Sequence, residues 1–365
     1  MSMVRHEMIR YKLLRSGIIY GELFPTGNPP TLVMDRAGEI KMSMQGEFLA
    51  GAIDTRNHPI QVDWVSDEIM PVLTVDNIES SLGILMPASI SNTRNSTSET
   101  VSVQAFDRCW RLRDTKVETS LYFPAGALYL DVIEELITAA GIPTIFRTDS
   151  DAVLAEARED WQAGTSYLSI VNQLLAEINY KQLWFNSTGA AVLEPKLLPT
   201  AQNIKHVFTD KKTDKRNKLE TSLIRIAPTI TRETDIYSAP NVFICVCSNP
   251  DKSAGMMAMA ENRNPQSPLS IAHRGRRIVS VVNVKNIASQ AALQSYANNL
   301  LSESMIGGEL INIETQLLPG FGVDDPVAIS AKDVNGICVE RSWSMQLQPG
   351  GRMTHTLERV VLNLD

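Results

Sequence analysis

Residues 121–195 constrain the fold most, because they place two stretches of helical periodicity inside a chain whose other patterns are typical of strands. In the first stretch, apolar residues recur at helical spacing over residues 129–140. Gly141, followed by Ile142 and Pro143, predicts the end of this helix, since glycine favours the left-handed C-terminal position and proline cannot continue a helix. The chain therefore contains an amphipathic helix that has to bury its apolar face.

The second stretch repeats the helical pattern over residues 168–178. It follows Thr165 and Ser166, and the hydroxyl of either residue can cap the start of a helix. Beyond it, residues 182–185 and 190–194 flank an Asn-Ser-Thr-Gly turn and predict a hairpin. Two helices that cover the apolar face of a small sheet form a compact αβ unit.

The rest of the chain is rich in strand patterns. Residues 1–118 alternate apolar and polar side chains in KMSMQGEF, IQVDWV and ETVSVQAF, which predicts an antiparallel barrel or sandwich. Strand patterns return from residue 205 and are interrupted by one amphipathic helix at about residues 289–303. We predict a β-rich α+β protein with a β domain at 1–118, an αβ domain at 119–204 and a second β domain at 205–365.

The composition argues against several classes of protein. A net charge of −7, with 34 scattered lysines and arginines, does not suit phosphate binding, which depends on clustered basic residues. Four dispersed cysteines are too few for a disulfide framework, so reduced thiols are expected. No run approaches the ~18 apolar residues of a membrane span. Charges also interrupt the N-terminal segment where a signal peptide would be apolar. We expect a protein kept in the cytoplasm until it is assembled.

Signatures of catalysis and cofactor binding are missing from the sequence. The five histidines show no HExxH or Cys/His ligand spacing, so neither a catalytic metal nor a cofactor is predicted. Cys245 and Cys247 fit either a soft-metal site or two core cysteines, and the lack of a second close pair favours the core. The chain has no GxSxG elbow and no P-loop. We therefore predict that it is not an enzyme.

Paired carboxylates keep one enzymatic alternative open, because two carboxyl groups across a cleft can hydrolyse a glycosidic bond. Adjacent carboxylates point apart on a strand and splay on a helix, so a doublet does not make such a pair by itself. A cell-wall or glycan hydrolase is therefore the alternative to a structural protein. The candidate doublets are Glu134-Glu135, Glu159-Asp160 and Asp324-Asp325.

Aromatic residues of the αβ segment suggest a third class of function, a carbohydrate-binding protein that attaches to a receptor. Trp161, Trp184 and Phe185 lie near polar residues and fit a sugar-binding platform. They also fit the core of the αβ unit, and the core is favoured because these side chains carry large apolar areas.

The order of β domain, αβ domain and β domain resembles the baseplate hub or tail-associated proteins of long-tailed bacteriophages and prophages. PVLTVDNIESSLGILMPASIS and TVSVQAFDRCWRLRD look like the first barrel of that family and the exit from it. AGTSYLSIVNQLLAEINYKQLWFNSTGAAVLEP looks like its αβ insert. ENRNPQSPLSIAHRGRRIVSV and the helix ending in NNLLSES look like the crossing into its second barrel.

The resemblance implies two tail-tube-like antiparallel β-barrel domains around the αβ domain, in a structural hub protein at the tip of a virion tail. It implies a homotrimeric ring that joins the tail tube, the distal tail protein and the tape-measure protein to fibres or a central spike. DNA would pass through the lumen without specific binding. A net negative chain suits such a conduit, because a cationic lumen would retain DNA.

Two groups of residues are candidates for contact with partners. Three methionines lie in NPDKSAGMMAMAENRNPQSP, which is long for a hairpin loop, and methionine suits adaptable surfaces as well as gaps in cores. The charged run DKKTDKRNK either contacts a neighbouring subunit or forms a solvated loop, which is usual for blocks of mixed charge. The candidate contact residues are Met256, Met257, Met259, Lys211, Lys212, Lys215 and Arg216.

Overall fold

A computed structural model of the chain describes residues 5–96, 99–159, 161–197, 199–211, 223–233, 239–247, 255–265, 267–284 and 290–360, without the side chains at 303 and 305–308. The chain forms two compact units. The first comprises Met1–Lys196, Thr315–Val323 and Ser342–Thr354, and the second comprises Leu197–Glu314, Asp324–Arg341 and His355–Asp365. The whole of the predicted first β domain and most of the predicted αβ segment lie in the first unit, and the boundaries at 118/119 and 204/205 stay predictions.

Strands dominate the described chain. In chain order they are β1 (Glu7–Arg15), β2 (Ile18–Leu23), β3 (Thr31–Asp35), β4 (Met42–Leu49), β5 (Ala52–Asp54), β6 (Pro59–Ile60), β7 (Glu68–Val75), β8 (Ile78–Ser81), β9 (Met86–Arg94), β10 (Glu99–Phe106), β11 (Ile145–Arg147), β12 (Trp184–Phe185), β13 (Ala191–Leu193), β14 (His206–Thr209), β15 (Leu223–Arg225), β16 (Thr231–Glu233), β17 (Val242–Cys247), β18 (Met256–Glu261), β19 (Val279–Val284), β20 (Ile306–Gln316), β21 (Pro326–Ala331), β22 (Val334–Gln346) and β23 (Arg352–Val360). The helices are α1 (Cys109–Asp114), α2 (Tyr129–Ala139), α3 (Tyr167–Glu177), α4 (Ile271–Arg274) and α5 (Gln290–Met305).

Two antiparallel sheets form the β-rich part of the first unit. One has the order β6-β5-β2-β1-β7-β8, and the other runs from residues 342–346 of β22 through β3, β4 and β10 to β9. Tyr11 of β1 packs edge to face on Phe48 of β4, with 5.1 Å between the ring centroids. Its hydroxyl donates a hydrogen bond to the backbone oxygen of Leu347 at 2.9 Å. The aromatic contact therefore joins the two sheets, and the buried hydroxyl of Tyr11 has a hydrogen-bond acceptor.

The predicted αβ segment folds within the same unit. The helices predicted over 129–140 and 168–178 are confirmed as α2 and α3. Ser166 caps α3 by accepting a hydrogen bond from the backbone N–H of Ser169 at 3.2 Å, and Gly141 follows α2 with a φ of +80°. The predicted hairpin is confirmed as β12 and β13, and β11 pairs with β13 in parallel.

The core of this αβ part is apolar and includes the aromatic residues considered for sugar binding. Trp161 and Phe185 are buried in it, and Trp184 is half-buried. The ring of Trp161 packs against Phe123, with 6.0 Å between centroids, and the guanidinium of Arg158 lies 4.9 Å from its centre. Trp161 and Phe185 therefore contribute to packing, as the core interpretation predicted.

The second unit contains mixed sheet pairing. β14 pairs in parallel with both β15 and β21, and β21 pairs antiparallel with residues 334–339 of β22. β16 pairs antiparallel with β20. A separate sheet with the order β18-β17-β19 carries α5, which confirms the helix predicted at about residues 289–303.

Two sequence predictions in the β regions are wrong. IQVDWV was predicted as a strand, but only Pro59–Ile60 pairs, as β6. The reason is Asp63, whose carboxylate accepts hydrogen bonds from the backbone N–H of Val65 and the hydroxyl of Ser66, so the chain turns there. Residues 256–261 were assigned to a loop, but they form β18, because Ala258 and Ala260 bury against a helix.

The described chain is therefore β-rich and built from several sheets, none of which closes into a barrel within the described residues. Among the helices of this part of the chain, none combines the length and the apolar character that crossing a membrane requires.

Candidate partner-contact surface

The sheet formed by β17, β18 and β19 has one face that is covered by a helix. β17 lies in the middle, antiparallel to β18 and parallel to β19. α5 packs on the covered face, where the alanine side chains let the helix lie close to the sheet. The buried residues of this contact are Cys245, Cys247, Ala258, Ala260, Leu293 and Ala297.

The opposite side of this sheet is here called the outer face, and the pairing register arranges it in three rows across the strands. Side chains alternate between the two faces of a strand, so each row combines one residue from each strand. In the order β18, β17, β19, the rows are Glu261-Val242-Val279, Met259-Ile244-Val281 and Met257-Val246-Asn283.

The outer face is mainly apolar and is open to solvent along its two outer strands, whereas the middle residue of its first row is fully buried. Met257 is 62% exposed and Val281 is 60% exposed, while Val279 and Met259 are exposed at 48% and 44%. Ile244 is half-buried between its neighbours in the middle row. Single exposed apolar residues are normal on protein surfaces, but a contiguous group marks a place where another molecule binds.

Arginines define one end of the outer face. The guanidinium of Arg277 reaches across the middle strand to the carboxylate of Glu261, and its Nη2 lies 3.8 Å from the sulfur of Met259. Arg263 donates a second hydrogen bond to Glu261 at 2.6 Å. Hydrogen bonds from Arg277 and then from Arg263 lower the pKa of Glu261 below its ordinary value, so this carboxylate is ionised at neutral pH. Two cations thus share one anion.

At the β18 edge of the sheet, helix side chains form hydrogen bonds with the strand backbone. The amide group of Gln290 donates to the backbone oxygen of Met257 at 2.7 Å, and that of Gln294 donates to the backbone oxygen of Met259 at 3.0 Å. Edge strands that leave such carbonyls unpaired are templates for pairing with another chain. Here α5 satisfies two of them, so contact with a partner through the outer face is favoured over strand addition at this edge.

The structure separates the three predicted contact methionines. Met257 and Met259 lie on the outer face, whereas Met256 points to the other side and packs against the α5 core. Sequence reasoning missed Val279, Val281 and Arg277. The available signal was RRIVSVVNV, where valines occupy both alternating sets of positions and so predict a strand that is apolar on both faces.

The predicted basic contact residues lie mostly outside the described residues, as is the case for Lys212, Lys215 and Arg216. Lys211 is exposed, and its backbone N–H donates to the hydroxyl of Thr209 at 3.2 Å. A role in partner contact stays a prediction for all seven candidate residues.

Among the groups considered for metal binding or catalysis, the two cysteines are buried in a core and Glu134 is held in an ion pair. Cys245 and Cys247 face α5 from the core, and burial raises the pKa of the Cys245 thiol. Glu134 lies 3.2 Å from the guanidinium of Arg147. Among the described residues, no group of three or more His, Cys, Asp or Glu side chains is arranged to hold a metal ion.

The third doublet is divided between two environments. Asp325 is fully buried and its carboxylate lies 2.6 Å from Nζ of Lys205, whereas Asp324 adopts a positive φ of 55° in the preceding turn. In the second doublet, Glu159 is described but Asp160 lies outside the described residues. The two carboxylates of residues 324 and 325 therefore do not meet across a cleft as a hydrolytic pair would.

Comparison by sequence identifies no relative. No protein-family model matches the chain, and no curated protein matches it.

Comparison by structure finds whole-chain likenesses. The tail protein from Neisseria meningitidis MC58 superposes with a TM-score of 0.65 at 12% identity, covering 96% of each chain. The 43 kDa tail protein of prophage MuSo2 from Shewanella oneidensis gives 0.65 at 10% identity, over 97% of this chain and 98% of that one. The prophage tail protein gp18 from Listeria monocytogenes EGD-e gives 0.57 at 9% identity, over 96% and 94%. The chain therefore has the fold of phage and prophage tail proteins, which confirms the resemblance found in its sequence.

Proposed function

We propose that this protein is a structural hub subunit at the tip of a phage or phage-derived tail. The fold supports this proposal over almost the full length of the chain. Fold alone does not assign function, because one fold hosts many functions. The observation that carries the proposal is the outer face of the β17–β19 sheet, an exposed apolar surface of the kind that assembled proteins bury.

In this proposal the two β-rich parts act as tail-tube-like barrel domains, and three chains close a ring. The ring joins the tail tube, the distal tail protein and the tape-measure protein to fibres or a central spike. DNA passes through its lumen without specific binding. The net charge of −7 supports this part of the proposal, since an excess of acidic residues opposes retention of DNA.

We further propose that the subunit acts without catalysis and is located in the virion tail. The carboxylate of Glu134 is engaged by Arg147, and that of Asp325 is buried beside Lys205. Neither has the open, paired geometry that glycoside hydrolysis uses. These contacts favour a structural role over the hydrolase alternative.

Light scattering of the purified protein over a range of concentrations tests the ring. The proposal expects a species with the mass of three 40.4 kDa chains at the highest concentrations, with the monomer increasing on dilution. A protein that stays monomeric at every concentration, and that is missing from purified tail tips probed with a specific antibody, would contradict the proposal.

A further inference from the structure

We propose that the outer face of the β17–β19 sheet docks a single amphipathic helix of a partner protein, with acidic residues at the end that meets Arg263 and Arg277. The inference rests on the proposed function in one respect, that the partner is another protein of the same assembly. It identifies the shape and the charge of the partner surface, which the hub proposal leaves open.

The sheet architecture points to a helix. The sheet is mixed, because β18 is antiparallel to β17 while β17 and β19 form a parallel pair of the kind that is normally covered by helices on both faces. In this sheet α5 covers one face only, and the outer face keeps Met257 and Val281 more than half exposed. A second helix on the outer face would complete the usual three-layer arrangement.

The dimensions of the outer face fit one helix. Neighbouring strands lie about 4.8 Å apart, so the three strands span about 10 Å, which is the diameter of a single helix with its side chains. The exposed residues Val279 and Asn283 of β19 mark the first and last rows, a distance of about 13 Å along the strand. An apolar stripe of two to three helical turns, about 5.4 Å each, covers that length.

The charges of the face give the helix a preferred chemistry. At the Glu261 end, Arg277 and Arg263 share one carboxylate, and the Arg263 side chain is 77% exposed. The opposite row ends in Asn283 and Met257, which carry no charge. Because complementary charges set the register of an interface, acidic residues of the helix are expected at the arginine end.

Two synthetic helical peptides provide the test. Both have the same leucine stripe, and one carries two glutamates in the terminal turn where the other carries two lysines. Fluorescence anisotropy with the full chain is expected to show saturable binding of the glutamate peptide, and binding of the lysine peptide that is weaker by about tenfold or more.

Variants of the chain locate the site. Val281→Lys places a charge in the middle row and is expected to weaken binding of the glutamate peptide by at least about tenfold. Val65→Lys is the matched control, because Val65 is also an exposed valine, at 93%, and lies outside the face. Arg277→Glu is expected to reverse the preference between the two peptides. Circular dichroism shows whether each variant keeps the wild-type fold.

The proposal is overturned if both peptides bind equally, if neither binds, or if Val65→Lys weakens binding as much as Val281→Lys. It is also overturned if the wild-type chain self-associates and Val281→Lys abolishes that association, since the face would then bind a second copy. Failure of the ring can be distinguished from failure of this proposal. A chain that is monomeric in light scattering can still bind the glutamate peptide.

Discussion

Nδ1 of His355 lies 3.0 Å from Oε2 of Glu340, and both side chains are fully buried in the second unit. The His355 ring also packs against Phe208, with 4.9 Å between centroids. Burial raises the pKa of Glu340 above its ordinary value of 4.5, and Asp325 raises it further, while His355 acts in the opposite direction. The stability of the second unit is therefore expected to depend on pH through Glu340.

Glu340→Gln is expected to remove part of that sensitivity. Because the pKa of Glu340 is raised in the fold, the stability it contributes is complete below pH 4.5 and is lost as the pH rises through the raised value. Urea denaturation of both proteins from about pH 4 to about pH 8 should therefore show the wild type losing stability relative to the variant as the pH increases. A difference in stability between the two proteins that stays constant with pH, or that changes in favour of the wild type as the pH increases, would contradict this prediction.

Asp107 is expected to make the first unit less stable as the pH rises, as Glu340 does in the second unit. Its carboxylate accepts hydrogen bonds from the backbone N–H groups of Met42 and Cys109, both at 2.8 Å, and burial raises its pKa to about 6. The stability that Asp107 contributes is thus fully present below pH 3.8 and is lost as the pH rises to about 6.

Asp107→Asn leaves one of these N–H groups without an acceptor and should destabilise the protein by about 1–3 kcal/mol at about pH 5. Thermal unfolding of the wild type and the variant should show the difference in stability narrowing as the pH rises from about 4 to about 6, and constant above that. A gap that widens with increasing pH would show that Asp107 is ionised in the fold throughout.

The two arginines beside Glu261 are expected to differ in their effect on its pKa. The hydrogen bond from Arg277 is the largest cause of the lowered pKa, and that from Arg263 is second. Arg277→Ala should therefore raise the pKa of Glu261 more than Arg263→Ala does. NMR titration of the glutamate carboxyl carbons measures both shifts, and an equal or opposite ranking would contradict the geometry.

Leu293 is expected to anchor α5 on its sheet. The side chain is fully buried, so Leu293→Ala should lower the free energy of unfolding by about 2–5 kcal/mol through lost burial and the cavity left behind. Leu197→Ala is the control in the same unit, because Leu197 is 69% exposed and its truncation should change stability by less than about 0.5 kcal/mol. If urea denaturation gave similar losses in the free energy of unfolding for the two variants, α5 would not be held through this contact.

Local signals in the sequence determined the αβ segment. The helical periodicity, the Ser166 cap and Gly141 predicted α2 and α3 nearly to the residue, because caps and amphipathic faces act within a few residues of chain. Alternation likewise predicted β10 over its full length. The order of these segments was also enough to indicate the tail-protein fold.

Contacts between distant residues were decided only by the tertiary structure. Alternation shows that a strand has two faces, but it does not show which face a helix covers, so Met256 and Met257 could not be told apart from the sequence. The burial of His355 beside Glu340 and the parallel pairing of β17 with β19 depend on which strands become neighbours. The outer face became visible only then, because exposure is a property of the packed chain.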